Sequence, residues 1–197
     1  MHRLTQHPLV LFFRVLFRNP RGVSALAPSS RKLAQAMTAG LDLNHDDIIL
    51  ELGPGTGALT YHIRDILPHA GAYLGIELEE KFVRLLQSQF PDLHFVQDTV
   101  AHAHKVHSQS GKSSVKVIIS GLSMSTLPQH VQDIFIDNLD RLSPSGSMFR
   151  MFQYVHAYYL PPAIRFRQRM GELFNEYHRS RVVFKNIPPA FVLTWTR

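Results

Sequence analysis

Short apolar runs alternate with amphipathic stretches from residue 42 onward. Five runs rich in β-branched and aliphatic residues predict strands at Ile48–Leu52, Ala72–Ile76, His94–Val96, Val115–Ile119 and Met148–Gln153. Three stretches between these runs carry apolar residues at helical spacing and predict helices at Ala58–Leu67, Glu79–Gln89 and Gln129–Leu142. Strands that alternate with helices in this way favour an α/β fold, with a mostly parallel sheet covered on both faces.

The pattern changes near the end of the chain, where a predicted helix is followed by two predicted strands. Pro161 opens a basic stretch that predicts a helix to about Phe174. Two further strands, Arg181–Lys185 and Phe191–Thr196, are predicted on either side of a proline-containing turn at residues 186–189. Because so short a connection joins antiparallel strands, we expect the sheet to end in an antiparallel pair.

The first segment of the chain predicts an amphipathic helix. Its large apolar residues cluster on one face, namely Leu9, Phe12, Phe13, Leu16 and Phe17, and its basic residues His7, Arg14, Arg18 and Arg21 share the opposite stripe. This pattern is typical of a helix lying in a membrane interface. A helix packed on the protein core and an organelle transit peptide are the alternatives. We therefore expect a basic amphipathic extension at residues 1–40 and one domain at residues 41–197.

The composition fits one globular domain. Of the 197 residues, 45% are apolar and 18% are charged, a balance typical of a chain that folds around a core. Cysteine is absent, which excludes disulfide scaffolds, thiolate zinc sites and cysteine nucleophiles. The best candidate for a membrane span, Leu9–Phe17, is shorter than the ~20 residues required and contains Arg14.

Charge is distributed unevenly along the chain. The formal net charge is +6. Residues 1–41 contain basic residues and no acid, residues 42–149 have more acids than bases, and residues 150–197 are again strongly basic. Two basic ends indicate an anionic partner, and both nucleic acid and a negatively charged membrane fit that requirement.

A glycine-rich turn follows the first predicted strand. Gly53, Gly55 and Gly57 stand between this strand and the next helix, where glycines allow a ligand to approach the backbone. Such turns also serve nicotinamide cofactors. Here, however, Glu51 precedes the first glycine by two residues. A carboxylate at that point would repel a pyrophosphate and would suit the cationic amino-acid end of a ligand.

Acidic residues also end the next two predicted strands. Glu77 stands where a carboxylate can accept hydrogen bonds from ribose hydroxyls, and Asp98 stands where it can bind an adenine amine. Together with the glycine turn, these acids resemble the constellation of class I S-adenosylmethionine-dependent methyltransferases. The resemblance implies a Rossmann-like seven-stranded sheet, mostly parallel with an antiparallel C-terminal strand. It also implies S-adenosylmethionine as cofactor, S-adenosylhomocysteine as product and no metal.

The same resemblance implies a set of cofactor-binding residues at the ends of the first four strands. They are Glu51, Gly53, Gly55, Gly57, Glu77, Leu78, Asp98, Thr99, Ser120 and Gly121.

Three segments outside the cofactor motifs are similar to bacterial phospholipid N-methyltransferases, which methylate phosphatidylethanolamine. They are residues 19–30, the Ser-Gly-Leu of residues 120–122, and the Asn-Ile-Pro-Pro-Ala of residues 186–190. The chain departs from that family at Ser123, where a proline is usual, and at Val155-His156, where Gly-Pro usually follows the tyrosine. The resemblance implies a phospholipid substrate and a cytoplasmic protein bound peripherally to the inner face of an anionic membrane through its N-terminus.

Tyr154, at the end of the fifth predicted strand, is our candidate catalytic residue because its hydroxyl would lie beside the methyl group. An rRNA adenine dimethyltransferase is the main alternative, but the Asn-Leu-Pro-aromatic segment of that family is absent here, so we expect no nucleic-acid partner. Two further alternatives are a methyltransferase that acts on another small molecule and a non-catalytic, membrane-associated protein that binds S-adenosylmethionine. The sequence carries no signal for an oligomeric state.

Three histidines follow the third predicted strand. His102, His104 and His107 have a spacing that could suggest a metal site. No acid lies in the ten residues after them, and a metal site needs supporting groups that fix its ligands. We expect these histidines to be solvated and predict no metal.

Overall fold

A seven-stranded sheet forms the centre of the computed structural model, which describes residues 30–122 and 127–197. The amphipathic segment before residue 30 and the family departure at Ser123 lie outside the described residues. The strands are β1 (Ile48–Leu52), β2 (Tyr73–Glu77), β3 (Phe95–Gln97), β4 (Val115–Ser120), β5 (Met148–Tyr154), β6 (Glu176–Arg179) and β7 (Ala190–Thr196).

The strands follow the order β3-β2-β1-β4-β5-β7-β6. The first five are parallel, whereas β7 runs antiparallel to both β5 and β6. This confirms the predicted α/β fold with an antiparallel C-terminal strand. The chain reverses its direction of strand addition between β1 and β4, and in such sheets ligands bind outside the carboxyl ends of the strands at that point.

Helices cover both faces of the sheet. They are α1 (Arg31–Thr38), α2 (Ala58–Arg64), α3 (Glu80–Gln89), α4 (Ala103–Gln109), α5 (Gln129–Leu142) and α6 (Pro161–Leu173). The first three share one buried apolar cluster with the sheet, and the last three share the other. Burial of these two clusters supplies the main stabilisation of the fold. Within the described ranges, no helix is long and apolar enough to cross a membrane.

Helix α1 belongs to the predicted N-terminal extension and packs on the sheet. Its residues Leu33, Ala34 and Met37 are buried. The Ser30 side chain accepts a hydrogen bond from the Leu33 N–H (3.2 Å), which caps the start of the helix. At its end, the buried guanidinium of Arg150 donates to the carbonyl oxygens of Met37 (3.1 Å) and Ala39 (2.8 Å). The last turn of α1 is thereby fixed to β5.

The predicted strand Arg181–Lys185 is wrong. The partner of β7 is the preceding segment β6, and Val183 makes only an isolated bridge to Ala190. The ladder cannot extend further because Pro188 and Pro189 have no N–H to donate. Strand β6 was not predicted from the sequence. All of its side chains are exposed, so it has no alternation of apolar and polar residues.

Candidate active site

The glycine turn joins β1 to α2 at the carboxyl edge of the sheet. Gly53, Gly55 and Gly57 all have positive φ angles, at 70°, 58° and 84°, which favour glycine. At Gly53 a Cβ atom would also lie 2.6 Å from the Leu122 side chain. The Gly53 N–H donates to the Ile76 carbonyl (2.9 Å), so the turn is fixed against β2.

Glu51 is fully buried beneath this turn. Its Oε2 accepts hydrogen bonds from the hydroxyls of Tyr73 (2.6 Å) and Thr60 (2.8 Å). The other oxygen, Oε1, is buried without a hydrogen-bond partner. Burial raises the pKa of Glu51 from 4.5 to about 7, against the opposing effect of the two hydroxyl donors. This carboxylate can therefore accept a further donor.

Glu77, the last residue of β2, is also buried and faces the turn. Its two oxygens accept hydrogen bonds from the backbone N–H groups of Gly55 (2.9 Å) and Glu79 (2.9 Å). Burial raises the pKa of Glu77, and these backbone donors oppose the increase. Each carboxylate oxygen has a second lone pair, so both can still accept from a hydroxyl. The structure brings Glu77 and the glycine turn together as predicted from the sequence.

Asp98 follows β3, and its side chain contacts residues close to it in the sequence. Its Oδ1 accepts from the Thr99 N–H (2.7 Å) and lies 2.9 Å from Nδ1 of His102. Thr99 is buried, and its hydroxyl caps the next helical turn by accepting from the Ala101 N–H (3.3 Å). The Asp98 N–H in turn donates to the Glu77 carbonyl (3.1 Å), which places Asp98 directly beside β2.

Ser120 ends β4 next to the glycine turn, and Gly121 follows it. The Gly121 N–H donates to the Leu52 carbonyl (2.9 Å), and a Cβ at Gly121 would lie 2.6 Å from the Gly53 oxygen. Only glycine permits this close approach. The buried Ser120 hydroxyl accepts from the Leu122 N–H (3.2 Å). A cleft at this edge is lined by Gly53, Ile76, Glu77, Leu78, Thr99, Val100 and Leu122.

Tyr154, the predicted catalytic residue, ends β5 and is nearly buried. Its ring stacks on His156 (5.7 Å between centroids, 11° between planes) and contacts Phe152. Burial raises the pKa of the Tyr154 hydroxyl, so the phenol stays protonated near neutral pH. Tyr154 shares its apolar cluster with α1 and does not line the cleft described above.

Three residues that contact the site were missed by the sequence analysis. Tyr73 and Thr60 hold Glu51, and Leu122 covers Gly53. Tyr73 had a signal, since a buried acid needs donors and a tyrosine stands in the neighbouring predicted strand. Thr60 was indistinguishable from an ordinary helix residue, and Leu122 was noted only as part of the Ser-Gly-Leu segment, with no contact predicted for it.

The three histidines at 102, 104 and 107 do not converge on one point. His102 lies beside Asp98, whereas Nε2 of His107 lies 2.9 Å from the Ser113 carbonyl oxygen. Among residues 30–122 and 127–197, no group of three or more histidines and acids could hold a metal ion.

The residues at this edge fit S-adenosylmethionine. The unpartnered Oε1 of Glu51 suits the cofactor's ammonium group, because a buried acceptor gains most from a charged donor. Gly55, around which space is open, leaves the turn free of a side chain where a ligand would approach. The lone pairs that remain on Glu77 suit the two ribose hydroxyls.

Comparison with known proteins supports this interpretation. No protein-family model matches the chain. An ornithine lipid N-methyltransferase from Singulisphaera acidiphila is 27% identical over 184 residues, which cover 91% of each chain. A ribosomal RNA small subunit methyltransferase A from Halothermothrix orenii is 39% identical over 49 residues, only 25% of this chain and 15% of its own length.

Solved methyltransferase structures share the fold at low sequence identity. A TehB-like S-adenosylmethionine-dependent methyltransferase from Corynebacterium glutamicum superposes with a TM-score of 0.61 at 13% identity, covering 96% of this chain and 98% of its own. Fibrillarin from Aeropyrum pernix, with natively bound S-adenosylmethionine, gives 0.60 at 15% identity over 83% and 73%. The chain therefore has the fold of class I S-adenosylmethionine-dependent methyltransferases, and it is similar over 91% of its length to a lipid N-methyltransferase.

Proposed function

We propose that this methyltransferase acts on the headgroup amine of a membrane lipid, with phosphatidylethanolamine as the first candidate. The observation that carries the proposal is the extent of similarity to a lipid N-methyltransferase, which spans 91% of both chains. Matches to rRNA methyltransferases cover about a third of this chain or less. Substrate-side segments distinguish methyltransferases that share a cofactor site, so a match over the whole domain is the more informative one.

The cofactor is held by groups at the carboxyl edge of the sheet. When bound, S-adenosylmethionine supplies a methyl group on a positively charged sulfur. Glu51 would accept a hydrogen bond from the cofactor ammonium, and Glu77 would accept from the ribose hydroxyls. Asp98 faces the adenine end, flanked by Leu78 and Thr99. Ser120 and Gly121 lie on the side where the methyl group is transferred.

The acceptor amine must lose a proton before it can react. A primary amine has a pKa near the ~10.4 of a lysine side chain, so it is protonated at neutral pH. The amine would lose its proton to water, and its nitrogen lone pair would then take the methyl group as the C–S bond breaks and neutral S-adenosylhomocysteine leaves. The Tyr154 hydroxyl, kept protonated by burial, orients the amine by a hydrogen bond and does not act as a general base. Partial burial of the amine favours its neutral form.

The protein reaches this substrate from the inner face of the membrane. The sequence pattern of residues 1–21 suits a membrane interface, and its arginines suit anionic headgroups. The protein is then cytoplasmic and peripherally bound.

An ornithine lipid is the second candidate acceptor, favoured by the name of the relative from Singulisphaera. Its headgroup also carries a primary amine, so the same steps apply. The two lipids differ in the group that links the amine to the acyl chains.

Radiolabelled methyl transfer to three acceptors tests the proposal. Purified protein is incubated with S-adenosylmethionine and with vesicles of phosphatidylethanolamine, vesicles of ornithine lipid, or small-subunit rRNA. We expect label in an extracted lipid. Label in rRNA alone would establish the RNA alternative. Cofactor binding without label in any of the three acceptors would overturn the proposal in favour of a non-catalytic binder or another small-molecule acceptor.

A further inference from the structure

The loop of residues 180–189, between β6 and β7, exposes two large apolar side chains. Phe184 is 77% exposed and Ile187 is 82% exposed. The loop is held by its own hydrogen bonds, since the buried Asn186 donates from Nδ2 to the Pro188 carbonyl (2.7 Å) and Val183 pairs with Ala190. The two apolar tips therefore project from an ordered loop, which we call the docking loop.

The docking loop lies at the same edge of the sheet as the candidate active site. Ala190, the residue after the loop, pairs with Tyr154 at the carboxyl end of β5. The Val155 N–H donates to the Pro189 carbonyl (2.9 Å). A surface that contacts the tips of the loop thus faces the edge where the cofactor residues gather.

Basic side chains surround these apolar tips. Arg181 and Lys185 are exposed within the loop, and residues 177–190 contain no acid. Asn186 Oδ1 accepts from the Ser30 N–H (3.0 Å), which holds the start of α1 against the loop. The exposed Arg31 and Lys32 of α1 are thereby added to the same surface.

A second exposed apolar segment follows β5 at this edge. Tyr159 is 71% exposed, and Leu160, at the start of α6, is also exposed. Residues 155–171 contain no acid. This part of the edge therefore presents separate apolar tips on a cationic background.

We propose that the docking loop inserts Phe184 and Ile187 into the interface of an anionic phospholipid bilayer. Arg31, Lys32, Arg181 and Lys185 then contact lipid phosphates. Apolar side chains gain free energy when they leave water for the acyl boundary, and nearby cations add attraction to anionic lipids. This inference rests on the proposed function, because it orients the active-site edge toward the lipid amines.

A bilayer fits this surface better than a second copy of the chain. A stable protein interface buries about 800 Å² on each partner, and two isolated tips supply far less apolar area. Two copies of this acid-free surface would also repel each other through their cations. A bilayer accepts isolated tips and compensates the charge with phosphates.

Tryptophan fluorescence in the full-length protein tests the insertion directly. The chain has one tryptophan, Trp195, which is buried, so Phe184→Trp adds an exposed reporter. We expect brominated acyl chains in anionic vesicles to quench the added emission, with no quenching in the unsubstituted protein. Emission that is already blue-shifted without vesicles would show that residues 1–29 or a second copy covers the loop, and would overturn the proposal.

Matched substitutions test the energetics by vesicle sedimentation. Ile187→Ser should weaken binding to anionic vesicles about tenfold, whereas Leu85→Ser, at an exposed apolar residue on α3, should not. The double variant Arg181→Gln/Lys185→Gln should weaken binding about tenfold or more at low salt. The control double variant Lys105→Gln/Arg141→Gln should not. Equal binding by the test and control variants would overturn the proposal.

Lipid methylation separates this inference from the proposed function. If Ile187→Ser loses activity on vesicles but retains it on lipid dispersed in detergent micelles, both hold. If wild-type protein methylates neither form of lipid while Phe184→Trp is still quenched, the proposed function fails and the docking surface stands. If wild-type protein methylates vesicle lipid and Phe184→Trp is not quenched, the docking surface fails alone.

Discussion

At the scale of single residues, the complete burial of the Glu51 carboxyl group is the least expected feature of the site. The sequence analysis identified it from its place before the glycine turn, and the structure shows why it would be sensitive to a ligand. One of its oxygens is buried without a partner, and burial raises its pKa to about 7. Charging this group in the absence of a cation costs free energy, and a cofactor ammonium would recover that cost.

The stability of the protein should reflect this raised pKa. An acid with a higher pKa in the folded state binds more protons there, so the free energy of unfolding falls as pH rises from 4.5 to about 7. The shift corresponds to a decrease on the order of 3 kcal/mol. Glu51→Gln should abolish this decrease. Urea unfolding of the ligand-free protein from about pH 5 to about pH 8 measures it, with the exposed Glu80→Gln as control. Parallel pH curves for wild type and Glu51→Gln would show that Glu51 does not titrate in this range.

Glu77 should determine cofactor affinity. Its carboxylate positions the Gly55 and Glu79 N–H groups and leaves acceptors for ribose hydroxyls. Glu77→Ala should weaken S-adenosylmethionine binding by ~1–3 kcal/mol, the usual scale for a charged hydrogen-bond partner. Isothermal calorimetry with Glu80→Ala as the matched control measures this. Unchanged affinity in a folded Glu77→Ala protein would mean that the cofactor is bound elsewhere.

At the scale of elements, apolar runs predicted the buried parts of the fold. Strand β1 and helix α5 have the predicted bounds, because strong apolar patterning marks both. Strand β6 was missed since an edge strand with exposed side chains has no such pattern. The Asn-Ile-Pro-Pro segment carried a family resemblance, and only the structure shows that Asn186 joins the start of α1 to the loop before β7.

The contact between the ends of β1 and β4 should tolerate no added side chain. Gly121→Ala places a Cβ about 2.6 Å from the Gly53 carbonyl oxygen, so the backbone must shift. We expect Gly121→Ala to weaken cofactor binding at least about tenfold because the glycine turn moves. Gly171→Ala is the control, since space is open around that residue and alanine in helix α6 should stabilise the fold by about 0.5–1 kcal/mol. Calorimetry and thermal unfolding measure the two effects, and normal affinity in Gly121→Ala would contradict the expected clash.

The Tyr154 hydroxyl at the end of β5 should affect turnover more than cofactor binding. Tyr154→Phe removes one hydroxyl and keeps the ring that stacks on His156. If the hydroxyl orients the amine, kcat should fall about tenfold with S-adenosylmethionine affinity unchanged. His156→Ala should have the smaller effect. Initial rates on phosphatidylethanolamine vesicles measure both, and wild-type turnover in Tyr154→Phe would leave partial burial of the amine as the better explanation.

At the scale of the whole molecule, charge and topology act on one edge of the sheet. The uneven charge of the sequence predicted an anionic partner. The structure shows that the basic docking loop lies beside the carboxyl ends of the strands. The acids at strand ends could be predicted because parallel strands bring such ends together. Contacts between side chains and distant segments could not be predicted. Examples are the hydrogen bond from Tyr73 to Glu51 and the hydrogen bond from Arg150 to the end of α1.

Methyl transfer to the nitrogen of a bilayer lipid is the measurement that tests the proposed function most directly. Wild-type protein, S-adenosylmethionine and anionic vesicles containing phosphatidylethanolamine or ornithine lipid are incubated together, and the extracted lipids are analysed by mass spectrometry. We expect N-methylated lipid, formed more slowly by Glu77→Ala at limiting cofactor. Unmodified lipid from every amine-bearing vesicle, with the protein folded and the cofactor bound, would contradict the proposal.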